Sequence, residues 1–363
     1  MLIDIIAGDR PDILRLAPIL EAIQNEQRKG TRFGYRFIYT GKDTDIGLYN
    51  ELFSELEIDK PNLILDIQEP TETASMAAIM LRYERILNNH KPDMILVTGR
   101  STGAMACALA ARKTANIRIA SLNAGVRTGD ANNPHEINRI VTDSISQYFF
   151  TASHSANQHL RNAGFTDEQL FLIGSTHIDS LLKLKPQFLQ PTFWHNLQLQ
   201  ERKYYVLALN KPYNTAYPAT LKNIVLRILK HTKGLPVIMP VLPSIKKVME
   251  VAGVQAHNLH IMHRIGYPQF AYLLTHAKGV ITDSVQVQEE ATVLHCPTIT
   301  LYPYTETPET CDIGYNLLAD TQSNALETAM DKLQSNHWHS GNAPYLWDGQ
   351  AAERLVATLK NMI

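Results

Sequence analysis

Short apolar runs and longer amphipathic stretches alternate along the first half of the chain. The apolar run at 2–7 ends at Gly8, and between Leu14 and Ile23 apolar residues recur at helical spacing, which predicts a strand, a turn and a helix. This alternation is typical of a parallel sheet with helices on both faces. Further strands are predicted at 35–40, 62–65, 94–97 and 117–122. Helices are predicted at 76–88 and after the turn at 98–103, where a helix runs to residue 111.

The second half repeats this rhythm after a stretch richer in Pro and Gln at 181–191. Strands are predicted at 205–209, 237–241, 259–263, 279–282 and 298–301, with a helix at about 219–231. The fold class predicted is α/β, with two Rossmann-like doubly wound domains at 1–175 and 176–349. Ligands of open parallel sheets bind beyond the carboxyl ends of the strands, so we expect a site in a central cleft that the two domains face.

The composition excludes several classes of function. The chain has 363 residues, of which 45% are apolar, and its 34 Lys and Arg nearly balance 35 Asp and Glu. A near-neutral chain is not expected to bind nucleic acid or an anionic membrane by net charge. No apolar run approaches the ~18 residues of a membrane span.

Three cysteines, Cys107, Cys296 and Cys311, are widely spaced and include no CxxC pair. Neither a disulfide framework nor a zinc site is predicted, and no other metal site is indicated. Walker A and GxGxxG patterns are absent as well, so the classical nucleotide fingerprints are missing. We expect a cytoplasmic protein that needs no metal and no organic cofactor.

Polar residues follow the first predicted strand. Gly8-Asp9-Arg10-Pro11 stands where that strand passes into a helix. Backbone N–H groups at a helix start together with a guanidinium suit a phosphate. An ordinary turn with Pro at the first helical position is an equally good interpretation.

A second polar stretch, 125–139, lies between an apolar strand and a helical pattern. It contains His135 and Glu136 beside Arg127 and Arg139. Histidine titrates near neutral pH, which makes His135 a candidate acid or base. A purely structural histidine is the alternative.

A third candidate lies at 279–291, which predicts a strand, a turn with N-cap residues and a helix. Glu290 is expected about two turns into that helix, where a carboxylate that faces a cleft can accept both hydroxyls of a ribose. A solvent-exposed glutamate without a ligand is the alternative.

Taken in order, the motifs resemble those of the non-hydrolysing UDP-N-acetylglucosamine 2-epimerases. Each motif alone is weak, but the ordered set runs nearly end to end and is specific. The motifs are GDRPD at 8–12, LAP at 16–18, AGVRTGD at 124–130, PHEINR at 134–139, GSTHIDSLL at 174–182, TDS with QEEA across 282–291, TETPET at 305–310 and DGQA at 348–351.

The resemblance implies a GT-B-like arrangement, a UDP-sugar ligand and a homodimer in polysaccharide precursor supply. It also implies that a C-terminal helix, 350–363, packs back on the first domain. Family members invert C2 of the sugar by eliminating UDP and adding it back. By resemblance Arg10 would contact the diphosphate, Ser284 a phosphate, Phe270 the uracil, Glu290 the ribose and Arg139 the sugar side.

The chain departs from the family pattern where proton transfer is expected. Arg100 replaces an aspartate, Asn123 and His135 replace glutamates, and Asn210 replaces a histidine. Milder departures are Arg15 for a lysine and Val285-Gln286 for two glycines. Asn and Arg offer no useful acid or base, so His135 is the candidate, with Glu136 or Asp130 as its partner.

The predicted cleft becomes more positive through five arginines. The UDP-sugar-binding candidates are Arg10, Arg15, Arg100, Arg127, Arg139, Asn210, Phe270, Ser284 and Glu290. Three hypotheses follow: a diverged 2-epimerase acting on UDP-N-acetylglucosamine or a related UDP-acetamido sugar, a glycosyltransferase on the same scaffold, and a non-catalytic UDP-sugar binder.

Overall fold

The chain forms two compact units, Met1–Lys183 with Tyr345–Ile363, and Leu184–Pro344. The computed structural model describes residues 1–131, 133–263 and 265–362, apart from the side chains at positions 48 and 115. The domain limits at 175 and 349 stay predictions.

The first unit contains a parallel seven-stranded sheet in the order β3-β2-β1-β4-β5-β6-β7. Its strands are β1 (Leu2–Ala7), β2 (Gly34–Tyr39), β3 (Leu63–Ile64), β4 (Met94–Thr98), β5 (Arg118–Leu122), β6 (Tyr148–Thr151) and β7 (Leu170–Leu172). Its helices are α1 (Arg10–Arg28), α2 (Asp43–Leu48), α3 (Asn50–Glu55), α4 (Glu72–Asn89), α5 (Thr102–Ala115), α6 (Pro134–Ile145), α7 (His154–Asn162), α8 (Thr176–Leu184) and, from the C-terminal segment, α17 (Ala351–Lys360).

The predicted strands β1 to β5 and helices α1, α4 and α5 are confirmed, whereas β6 and β7 were not predicted. The central strands β1 and β4 are mostly apolar because helices cover both faces. The exception in β1 is Asp4, a charged residue that is fully buried. Its carboxylate accepts hydrogen bonds from Arg36 Nε at 2.6 Å and the Tyr83 hydroxyl at 2.8 Å, which compensates the buried charge.

The second unit repeats this design with a parallel six-stranded sheet in the order β10-β9-β8-β11-β12-β13. Its strands are β8 (Tyr205–Ala208), β9 (Val237–Pro240), β10 (Leu259–Met262), β11 (Gly279–Thr282), β12 (Thr298–Thr300) and β13 (Asn316–Leu318). Its helices are α9 (Phe193–Asn196), α10 (Pro212–Thr215), α11 (Pro218–His231), α12 (Pro243–Ala252), α13 (Tyr267–His276), α14 (Val285–Val293), α15 (Glu309–Asp312) and α16 (Ala325–Gln334).

The strands predicted in this half are confirmed, and β13 is an addition. Apolar side chains of the strands and of α11, α12 and α16 form one core, with Tyr205, Leu207, Ile224 and Met330 almost fully buried. That core fixes the strand ends from which the polar residues of this unit project.

The C-terminal helix α17 packs against α1 within the first unit. Lys360 forms an ion pair with Glu26 on α1. At the other end, Asp179 of α8 accepts a hydrogen bond from the backbone N–H of Ala352 at 2.7 Å and so caps α17 from a different helix. Burial is the main cause that raises the pKa of Asp179 to about 6.

Asp179→Asn should make the stability of the protein less dependent on pH. The carboxyl pKa is higher in the folded chain than in the unfolded chain, so its contribution is full below about pH 4 and is lost as pH rises through about 6. Between about pH 4 and pH 7 the wild type should lose on the order of 3 kcal/mol more than the variant. Urea unfolding across this range measures the difference.

The exposed Asp59→Asn, in the same unit, is the control for that measurement and should follow the wild type. Parallel curves for wild type and Asp179→Asn would contradict the assignment.

The helices of residues 1–131, 133–263 and 265–362 include no candidate membrane span, since none combines sufficient length with sufficient hydrophobicity.

Candidate functional site

Two loops meet where the strand order of the first sheet changes direction. From β1 the chain moves outward to β2 and β3, and from β4 it moves the other way to β7, so the carboxyl ends of β1 and β4 border a crevice. Gly8 follows β1, and a Cβ there would collide with the Ser101 hydroxyl of the loop after β4. The two loops therefore pack closely only because residue 8 is glycine.

Asp9 links these two loops. Its Oδ1 accepts the backbone N–H of Asp12 at 3.0 Å and caps α1, while its Oδ2 lies 3.1 Å from Arg100 Nη1. Buried Asp12 accepts the N–H of Gly8 at 2.9 Å and the Thr98 hydroxyl at 2.6 Å. Burial, followed by the charge of Asp9, raises the pKa of Asp12 to about 6. The predicted turn is thus a hydrogen-bonded loop that fixes the start of α1 beside Arg100.

A small recess, partly open to solvent, lies at this edge of the sheet. It is lined by Arg15, Thr98, Gly99, Arg100, Leu122, Asn123 and Arg139. A second hollow shares Arg15, Leu122 and Asn123 and is also lined by Ser175 and by Thr176, the first residue of α8. Three of the predicted arginines thus lie together, whereas Arg10 is exposed at the start of α1.

Asn123 follows β5 with φ at 54°, in the left-handed region. Asparagine tolerates this conformation better than most residues. The strand therefore turns sharply at the recess, and the side chain at this position lines it.

Glu136 holds the polar loop that precedes α6. It is 3% exposed, and its carboxylate accepts the backbone N–H groups of Thr128 at 3.1 Å and Gly129 at 3.3 Å. Arg139 Nη1 lies 3.5 Å from the same carboxylate. The structure brings together Glu136 and Arg139, which were predicted as separate site residues, and Glu136 is engaged in shaping the loop.

Arg127 points to a different carboxylate, Asp143 of α6. Its Nη2 lies 2.7 Å from Asp143 Oδ2, which also accepts the N–H of Gly125 at 3.1 Å. Burial raises the pKa of Asp143 despite the opposing effect of Arg127. Asp130, half-exposed in the same loop, donates its backbone N–H to the Thr128 hydroxyl at 3.3 Å.

His135 lies at the start of α6 against the loop after β4. Its Nδ1 is 3.2 Å from the carbonyl oxygen of Arg100, and Asn138 Nδ2 donates to the same oxygen at 2.9 Å. A carbonyl only accepts, so the neutral imidazole carries its proton on Nδ1 and Nε2 is its basic nitrogen. The ring is half-buried and adjoins a residue that lines the recess.

In the second unit, Asp283 organises the ends of β8 and β11. Its carboxylate accepts the backbone N–H groups of Asn210 at 2.7 Å and Lys211 at 3.1 Å, and Nδ2 of Asn214 at 3.0 Å. Burial raises the pKa of Asp283. The next residue, Ser284, caps α14 by accepting the N–H of Val287 at 3.5 Å. Asn210 and Ser284 are thereby tied to the same strand ends.

Glu290 lies on α14 and is 2% exposed, so the alternative of a solvent-exposed glutamate is wrong. Its Oε1 accepts the hydroxyl of Tyr267 at 2.7 Å. Tyr267 and half-buried Phe270 are three residues apart on α13 and thus neighbours on its surface. A carboxylate oriented by a tyrosine hydroxyl is a suitable acceptor for vicinal hydroxyls.

Comparison with known proteins identifies the family. A family model described as UDP-N-acetylglucosamine 2-epimerase matches residues 25–360. The chain belongs to this family. The UDP-N-acetylglucosamine 2-epimerase of Methanocaldococcus jannaschii is 30% identical over 99% of both chains. The UDP-2,3-diacetamido-2,3-dideoxy-D-glucuronate 2-epimerase of Pseudomonas aeruginosa is 28% identical over 98% of this chain and 99% of that one.

A crystal structure of the Methanocaldococcus jannaschii UDP-GlcNAc 2-epimerase in complex with UDP-GlcNAc and UDP shares the fold with a TM-score of 0.86. The two sequences are 29% identical, and the match covers 99% of this chain and 100% of that chain. The predicted fold class is confirmed: an α/β protein with two doubly wound parallel sheets of the GT-B-like kind.

The positions at which sequence analysis predicts a departure from the 2-epimerase family pattern have defined surroundings. Arg100 pairs with Asp9, Asn123 lines the recess, and His135 contacts the Arg100 carbonyl. Exposed Asn210 is held through its backbone by Asp283. Val285 and Gln286 begin α14, and both are partly buried.

Sequence reasoning gave no role to Asp143, Tyr267 or Asp283, which orient the predicted residues. For Asp283 a signal existed, since a carboxylate directly after an apolar strand precedes the N-cap of a helix. For Tyr267 and Asp143 no local signal exists, because their partners come from other elements. Among the described residues no group of three or more His, Cys, Asp or Glu side chains is arranged to hold a metal ion.

Proposed function

We propose that this protein interconverts UDP-N-acetylglucosamine and UDP-N-acetylmannosamine, or the two C2 epimers of a related UDP-acetamido sugar. One observation carries the proposal. Residues of motifs far apart in the sequence, Arg15, Arg100 and Arg139, line a single recess at the carboxyl edge of the first sheet. The match to the epimerase family over residues 25–360 supports the reaction class.

In the proposed reaction, His135 Nε2 takes the proton from C2 of the sugar. The electron pair of the C–H bond forms a C1=C2 double bond, the C1–O bond breaks, and its pair leaves with UDP. Re-addition of UDP at C1, with a proton delivered to the other face of C2, gives the epimer. Arginine guanidinium groups stabilise the departing diphosphate, and the candidates are Arg10, Arg15, Arg100, Arg127 and Arg139.

Protonation of the other face of C2 requires a second acid. The candidates are Asp130 and Glu136. Glu136 is buried and its oxygens receive two backbone N–H groups. Asp130 is half-exposed in the same loop. Asp130 is therefore the better candidate for proton delivery, with Glu136 as the residue that positions the loop.

The second unit supplies the nucleotide-binding residues in this proposal. Glu290 would accept the ribose hydroxyls, Phe270 would lie against the uracil, and Ser284 with Asn210 would contact a phosphate. The bond from Tyr267 to Glu290 supports the ribose role because it orients a buried carboxylate.

We extend the proposal to a cytoplasmic homodimer in polysaccharide precursor supply. The free thiols of Cys107, Cys296 and Cys311 suit a reducing compartment. The dimer and the pathway rest on family resemblance.

Non-catalytic binding of a UDP-sugar is a second candidate function, favoured by a specific observation. The described lining of the recess contains three arginines and no carboxylate. A site of this kind binds an anion well but offers fewer proton-transfer groups than C2 inversion needs.

Proton NMR of the protein with UDP-N-acetylglucosamine in deuterium oxide distinguishes the two functions. Deuterium at C2 together with the manno epimer is expected for the epimerase. Broadened ligand signals without deuterium exchange, whichever epimer is added, would contradict the epimerase and support the non-catalytic binder. Activity that required an added acceptor would indicate a glycosyltransferase.

A further inference from the structure

We infer that Gln286, on the first turn of α14, donates a hydrogen bond from its side-chain amide to a phosphate oxygen of the bound nucleotide. This role rests on the proposed function only in that a UDP-sugar must bind to the second unit. Turnover of the sugar is not required. Neither the motifs nor the family resemblance assigns Gln286 to the ligand.

The amide nitrogen of Gln286 is buried and lacks an acceptor. The residue as a whole is partly exposed, but its Nε2 is shielded from solvent and meets no hydrogen-bond partner among the described residues. A primary amide nitrogen carries two N–H groups and can only donate. A buried donor without an acceptor is costly, so this one indicates an acceptor that arrives with the ligand.

The position of Gln286 on α14 indicates which part of the ligand supplies that acceptor. Gln286 precedes Glu290 by four residues, so the two side chains are neighbours on one face of the helix. Four residues correspond to a rise of about 6 Å. In a nucleotide the 5′ phosphate lies at a similar distance from the 2′ and 3′ hydroxyls. A ribose held by Glu290 therefore brings its phosphate within reach of Gln286.

The charge at the start of α14 favours the same ligand group. Gln286 is the second residue of this nine-residue helix, which Ser284 caps. The first N–H groups of a helix have no partner within it and carry partial positive charge. The neighbouring Asp283 carboxylate is already engaged by the backbone N–H groups of Asn210 and Lys211. An anionic phosphate oxygen therefore suits the Gln286 amide.

The side chain at position 286 also changes how a phosphate can be held. The family resemblance implies two glycines where this chain has Val285 and Gln286. Glycines let a phosphate approach the backbone closely, whereas both residues here carry partly buried side chains. The Gln286 amide provides a donor that reaches out from the helix instead. The alternative is that the Gln286 side chain obstructs the phosphate.

Calorimetric titration with UDP and NMR titration with uridine test this role. Gln286→Leu removes the amide at similar size and should weaken UDP binding by about tenfold or more, because a hydrogen bond to a charged group is lost. Its affinity for uridine, which has no phosphate, should stay within about twofold of the wild type. Gln286→Glu keeps the shape but adds a negative charge and should weaken UDP binding further.

Gln322→Leu is the matched control, since Gln322 is an exposed glutamine in the same unit. It should bind UDP as the wild type does. Without ligand, Gln286→Leu should unfold at the wild-type temperature, because none of the described residues bonds to the lost Nε2. With UDP its rise in Tm should be smaller than that of the wild type, which a purely structural role would not produce.

UDP binding by Gln286→Leu that equals or exceeds that of the wild type overturns the inference, and tighter binding would show that the side chain obstructs the phosphate. Inorganic phosphate is the other source of such an oxygen. If Gln286→Leu weakened binding of inorganic phosphate but not of UDP, the inference would be wrong.

Two further outcomes separate this inference from the proposed function. A folded wild type that fails to bind UDP would overturn both. UDP binding that depends on Gln286, without deuterium exchange at C2 of the sugar, would support the inference and contradict catalysis alone.

Discussion

His135→Ala should lower the rate of deuterium entry at C2 of the sugar by about 10² to 10⁴-fold, the usual effect of removing a general acid or base. The geometry explains why. The Arg100 carbonyl, 3.2 Å from Nδ1, fixes the tautomer in which Nε2 is basic. Single-turnover NMR in deuterium oxide measures the rate, and UDP affinity should stay within about twofold of the wild type.

His159→Ala provides a matched control. His159 lies on α7, and its Nδ1 also meets a backbone carbonyl, that of Gly125, at 2.9 Å. The control should leave exchange unchanged, whereas His135→Gln, which keeps a polar side chain without a titratable group, should behave like His135→Ala. If His135→Ala retained the wild-type exchange rate, the acid/base role of His135 would be wrong.

Glu136→Ala should lower the free energy of unfolding by about 3–5 kcal/mol, the cost of breaking a buried ion pair on one side. The change removes the carboxylate that lies 3.5 Å from Arg139 Nη1 and that receives the N–H groups of Thr128 and Gly129. Those donors and the guanidinium would then be buried with fewer partners. Urea denaturation followed by circular dichroism measures the loss.

Two further variants test the explanation. Glu136→Gln keeps an oxygen for the backbone N–H groups and should cost less than the alanine variant. Glu51→Ala removes an exposed glutamate from the first turn of another helix, α3, and should change stability by less than about 0.5 kcal/mol. Equal losses for Glu136→Ala and Glu51→Ala would show that the buried contacts of Glu136 contribute nothing.

Glu136→Gln also separates the two roles considered for this residue. A stable variant with slow C2 exchange would make Glu136 an acid/base group. A stable variant with normal exchange would leave it as a positioning residue, as its contacts with the loop indicate.

The strands that sequence analysis did not predict share a physical cause. Tyr148–Thr151 and Leu170–Leu172 are short, and β13 has only three residues. Length alone does not explain why they were missed, since the predicted strands β3 (Leu63–Ile64) and β12 (Thr298–Thr300) are just as short. The missed runs become strands because a neighbour supplies hydrogen bonds, as β5 does for β6 and β12 for β13.

Burial of the arginines is another property that local sequence does not determine. Arg10 and Arg15 lie on the same helix about 140° apart around its axis. Periodicity identifies the apolar face of α1, but it would not place a charged residue on that face. Arg15 is buried and lines the recess together with residues of the loops after β4 and β5.

The sequence by itself determined the alternation of strands and helices, the turns at which polar residues collect, and the family. These properties depend on periodicity, capping residues and motif order, all of which are local or linear along the chain. Only the tertiary structure decided which polar groups are already engaged: Glu136 by a loop, Arg127 by Asp143, and Glu290 by Tyr267. These pairings cannot be found from local sequence, because partners from different loops and helices meet only when the chain folds.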